Sequence, residues 1–148
     1  VERSRGLGDV YKRQDLENTI VGGKNAYESI NDHNWVENEF LPKVQQRGAE
    51  IIQARGASSA SSAARAACET VKAVEHPTRS GDVFNAAVMS DGAYGMPEGI
   101  FSGFPLISDG KGSIEIVRDY SLSDFAKAGL KKTSDELVAE KNLVKDLI

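Results

Sequence analysis

Few residues in this chain have side chains suited to chemistry, and most of those lack the company that chemistry needs. His33 sits in Asn31-Asp32-His33-Asn34, a polar capping segment, and His76 precedes Pro77 in a loop. Both read as exposed structural residues, not as general bases. Neither has zinc-ligand spacing to Cys68 or to paired carboxylates, so no metal site is expected. Cys68 cannot form an internal disulfide, being the only cysteine, and it lies in an Ala-rich helical stretch with no His near it. It reads as a buried structural thiol. Ser59 stands where a helix should start and can cap it. Gly48 lies mid-helix, where Gly costs about 1 kcal/mol relative to Ala, which suggests close approach of a neighbour or ligand. Arg47 and Arg55 flank these positions and read as ion-pair partners.

The elements that must position these residues meet in one segment, Val44 to Ala64 (VQQRGAEIIQARGASSASSAA). Val44, Gly48, Ile51, Ile52 and Arg55 recur at helical spacing, an apolar stripe that ends in a cation. Gly56 is a natural residue to end that helix, and Ser58 or Ser59 can cap the next. The second helix, from about Ser59 to Val74, presents Ala60, Ala63, Ala64, Ala67, Val71 and Val74 on one face, which predicts tight packing.

Elsewhere the pattern predicts a short strand at Thr19 to Val21 turned by Gly22-Gly23, and a helical piece at Ala26 to Ile30. Asp32 or Asn34 can cap a turn or two holding Trp35, Val36 and Phe40, and Pro42 marks a break or a first turn before Lys43 to Arg55. After a loop from His76 to Gly81 the period becomes that of strands: Asp82 to Met89, Ile100 to Ile107, and Ser113 to Val117 with Ile114 and Ile116 on one side and Glu115 on the other. Ser121 or Ser123 can cap a closing helix to about Lys145, with Leu122, Phe125, Leu130, Leu137 and Val144 as its buried stripe and Gly129 as a possible bend. Helices followed by antiparallel strands and a long terminal helix read as α+β in one unit.

Size and charge bound the function. A chain of 148 residues fits one domain and can bury roughly two thirds of its extended surface. A net charge of −4 gives no electrostatic case for nucleic acid or an anionic membrane. No apolar run approaches the roughly 20 residues that span a bilayer, and no signal peptide is evident. A soluble, cytoplasmic protein is expected.

The Val44 to Ala64 segment resembles the first half of the substrate domain of cytosolic-type malate dehydrogenases, in the lactate/malate dehydrogenase superfamily. The likeness extends through NWVENEF (Asn34 to Phe40), through SDGAYGMPEGIFSGFP (Ser90 to Pro105), and into the closing helix at Glu136, Leu137 and Val138. It covers residues 15–148. The resemblance implies a C-terminal domain of helices on an antiparallel sheet with a long C-terminal helix. It implies NAD as cofactor, malate and oxaloacetate as substrates, and a homodimer. Gly48 and Ser59 match family positions that line the bound dicarboxylate, Gly48 through close backbone approach and Ser59 through its hydroxyl. The family's Gly-rich dinucleotide loop, mobile arginine loop and catalytic His have no counterpart here, so no catalytic or cofactor-binding residue is assigned and the isolated chain is expected to be inactive. NAD and NADP are not distinguished, and lactate as substrate is the weaker alternative within the family. A stand-alone non-catalytic binding or dimerisation module of the same fold is the rival reading from another class.

Ser4 to Gln14, SRGLGDVYKRQ, resembles the in-frame translation of a transposon-based sequencing adapter. Residues 1–14 are therefore expected to be a disordered, artefactual tail, excluded from fold reasoning. Without them the chain is more acidic.

Overall fold

The computed structural model describes residues 17–58 and 60–147. The adapter-like segment 1–14 lies outside the described residues. The first elements are a hairpin of two two-residue strands, β1 (Ile20–Val21) and β2 (Lys24–Asn25), and a short helix α1 (Ala26–Ile30). Asn25 caps α1 by accepting from the Glu28 amide at 3.0 Å. Asp32 caps the next helix, α2 (His33–Trp35), through the Trp35 amide at 2.9 Å. This is one of the two capping residues expected there.

Helix α2 runs without interruption through a π turn, Val36–Phe40, into α3 (Leu41–Arg55). Pro42 explains the π turn. It has no amide to give the carbonyl four residues back, and the Leu41 amide just before it reaches five residues back to Val36. Pro42 thus occupies the first turn of α3 and does not break the helix. Gly56 ends α3 in the left-handed region, φ 71°, its amide closing on the Ile52 carbonyl at 2.8 Å.

Helix α4 (Ala60–Glu75) lies against the three-stranded antiparallel sheet, β3 (Phe84–Met89), β4 (Phe101–Ser108) and β5 (Ile114–Ile116), ordered β3-β4-β5. It does so with Ala66, Thr70, Ala73 and Val74, all half-buried. Of the six-residue small stripe read from the sequence, only Val74 shares in this contact; Ala60, Ala63, Ala64, Ala67 and Val71 are exposed. The expected tight packing is on a neighbouring face, set by where the chain must turn. Ser108 at the end of β4 donates to the Val74 carbonyl at 2.6 Å and accepts from the Gly110 amide at 3.0 Å, while Thr78 accepts from the Ser108 amide at 2.8 Å. Gly110 is obligatory in this knot. Its φ is +69°, and a Cβ there would sit 2.6 Å from the Pro77 ring nitrogen. Cys68 is exposed, contrary to the buried thiol expected, because it lies away from the face of α4 that meets the sheet.

Alternation along β4 fixes the core. Ser102, Phe104, Leu106 and Ser108 are buried, whereas Phe101 and Ile107 are exposed. Register places Ala86 opposite Phe104, and both Phe84 and Ile116 opposite Leu106, on the inner face; it sets Met89 opposite Phe101 and Glu115 opposite Ile107 on the outer one. The inner face is closed by Ala93 and Met96 of the connecting loop and by Leu130 of α5 (Asp124–Leu143). Ser123 caps α5 through the Ala126 amide at 3.1 Å, as expected, and the helix continues through Gly129. Its buried stripe differs from the expected one. Thr133 is buried and Leu130 and Leu137 are half-buried, but Phe125 and Val144 are exposed.

The loop between β3 and β4 is held from inside. Buried Ser90 donates to the Met96 carbonyl at 2.9 Å and accepts from the Gly92 amide at 3.1 Å. Tyr94 takes φ 54°, unusual for a residue with a side chain, and its hydroxyl donates to the Val117 carbonyl at 2.6 Å. A tie from loop to sheet offsets the local strain.

The two faces of β4 predict opposite costs for one change. Phe104, 2% exposed, should lose about 3–5 kcal/mol of stability or fail to fold as Phe104→Ala. Phe101, 61% exposed, should lose under about 0.5 kcal/mol as Phe101→Ala, both read from urea unfolding. Equal losses would mean that the register is wrong.

Acid should weaken the fold at its turns. Amides of Lys111 and Ser113 donate to Asp109 and hold its carboxyl below the ordinary 3.8. A carboxylate with a depressed folded pKa stabilises the fold above its unfolded pKa, and that contribution is lost as pH falls through the folded value. Asp109→Asn keeps an acceptor oxygen and removes the titration, so unfolding midpoints below about pH 4 should depend less on pH than in the parent chain. An unchanged acid limb would count against this origin.

Candidate functional site

The pocket wall suggested by sequence is the end of α3, the joint at Gly56, and the start of α4. Gly48 lies inside α3 with helical backbone, and a Cβ added there would meet no heavy atom within 4 Å. No described neighbour accounts for the missing side chain. The position faces open space in the described chain. Ser59 lies outside the described residues, so of the two candidate substrate residues the structure places only Gly48. The residue after Ser59 in sequence is the first of α4.

The flanking cations behave differently. Arg47 pairs with Glu50 one turn on, N to O 3.4 Å, with both side chains largely exposed. This is the ion-pair role expected of it, and an exposed pair of this kind contributes about 0–1 kcal/mol. Arg55 occupies the last turn of α3, where a cation complements the helix dipole.

His33 contacts the Tyr27 hydroxyl through Nδ1, with the two rings edge to face at 4.5 Å between centroids. His76 places Nδ1 3.0 Å from the Lys72 carbonyl at the end of α4. Both imidazoles are exposed and engaged locally, which agrees with structural roles. Among the described residues, no group of three or more His, Cys, Asp or Glu side chains is placed to hold a metal ion.

The described glycines do not form a dinucleotide cradle. Gly22 and Gly23 turn the β1–β2 hairpin, and Gly92 and Gly95 belong to the loop tied down by Ser90 and Tyr94. A phosphate loop needs such glycines between a strand and a helix start. Among the described residues, these four glycines therefore do not fit a nicotinamide dinucleotide.

One pairing was not legible in sequence. Arg118, after β5, contacts Asp91, after β3, and this guanidinium holds the Asp91 carboxyl below the usual carboxylate range. The pair borders an open groove with Val88, Leu106, Ile114 and Ile116. Twenty-six residues intervene between the two, and only the loop folding back over the sheet brings them together. The opposite charges face one another, with both side chains about half exposed. The pair fastens the loop.

A short antiparallel sheet with helices on one face, entered through a helix-Gly-helix joint, defines an α+β domain. The family model for the lactate/malate dehydrogenase alpha/beta C-terminal domain matches residues 12–148, and the chain belongs to that family. A malate dehydrogenase from Magnetococcus marinus is 48% identical over 134 residues, 90% of this chain and 41% of that protein. Among solved structures, malate dehydrogenase from Naegleria fowleri superposes with a TM-score of 0.81 at 36% identity, over 90% of this chain and 40% of its own. Lactate dehydrogenase from Trichomonas vaginalis, in complex with NADH and oxamate, gives 0.78 at 28% identity, over 89% and 41%. The chain thus spans less than half the length of these relatives. No described helix is long and apolar enough to cross a membrane.

Open space at Gly48 makes a definite stability prediction. Gly48→Ala should stabilise the chain by about 0.5–1 kcal/mol in thermal or urea unfolding, the ordinary helix-propensity gain. A loss of stability would reveal a close neighbour within the chain and remove the case for an open site.

Proposed function

We propose that this chain is the C-terminal substrate domain, residues 15–148, of an NAD-dependent malate dehydrogenase that interconverts malate and oxaloacetate in the cytoplasm as a homodimer. The observation that carries the reading is the Gly48 position, a helix-interior glycine bared of neighbours in a segment that also holds Ser59. The 48% identity to a malate dehydrogenase supports malate over lactate. Residues 1–14 are foreign to the domain in this reading.

In the complete enzyme Ser59 and the first amides of α4 hold a substrate carboxylate, by hydrogen bonds strengthened by its negative charge. Gly48 lets the substrate come against the α3 backbone without displacing a methyl group. Neither residue moves a proton or a hydride. The cofactor would supply hydride-transfer chemistry when bound; its binding site and the general base, the His that the family resemblance implies, are assigned to no residue of this chain.

Two measurements test the proposal. The purified chain should show no NADH-linked reduction of oxaloacetate; turnover by this chain alone would overturn the division of labour. In the enzyme expressed from the source gene with its native upstream coding sequence, Ser59→Ala should raise KM for oxaloacetate about tenfold, some 1.4 kcal/mol of binding, with kcat within about threefold. An unchanged KM would remove Ser59 from the pocket, and an upstream stop and initiator codon would favour the non-catalytic module.

A further inference from the structure

We draw no further inference here: the strongest candidate, the exposed apolar outer face of the three-stranded sheet around Met89, Phe101 and Ile107, carries none because nothing in the structure shows what covers it.

Discussion

Strict alternation along β4 is the constraint on which the rest of the fold depends. Eight residues place Ser102, Phe104, Leu106 and Ser108 on one side and leave Phe101 and Ile107 exposed on the other, with Gly103 and Pro105 half-buried, so every other element is useful only where it can reach that inner side. Loop residues Ala93 and Met96 fold back onto it, α5 contributes Leu130, and α4 is tethered at its margin by Ser108. Even the polar residues of the inner face serve this end. Ser90 and Ser108 are buried, and each spends its hydroxyl on carbonyl and amide groups that would otherwise lack partners.

The candidate site stands away from this core. Within α3 only Leu41, at its first residue, is buried, and the apolar stripe beyond it is half-buried at Val44 and Ile51 and exposed at Ile52. Burial of apolar surface supplies most helical stability in proteins, so a helix this poorly covered relies on its own propensity and caps. Gly48 weakens that propensity further. The chain covers 41% of the Magnetococcus marinus relative and 40% of the Naegleria fowleri structure.

Much of the fold was legible because local signals and tertiary structure agreed. Asp32, Ser123 and Gly56 act at the helix ends where their chemistry placed them, and the parity of Ile114, Glu115 and Ile116 matches the register with β4. Misreadings fall where tertiary contacts choose among equally apolar positions. On α4, Ala63 and Ala73 are indistinguishable by hydropathy, and the knot at Ser108 decides which of them meets the sheet. Phe125 and Val144 fit the period of α5 but lie near its ends, beyond the reach of the short sheet. The Arg118–Asp91 contact joins segments with no common period and had no sequence signal. Of the site, Gly48 was marked by its cost in a helix, whereas Ser59 rested on its place at a helix start together with the family resemblance.

The chain's own core holds the sheet but does not extend along α3. Amide hydrogen exchange followed residue by residue on the purified chain tests this most directly. Amides of Phe84–Met89 and Phe101–Ser108 that bond across the sheet should exchange only through global unfolding, whereas those from Val44 to Arg55 should exchange orders of magnitude faster through local opening. Protection through α3 equal to that of β4 would contradict this, since α3 would then be part of the same cooperative core.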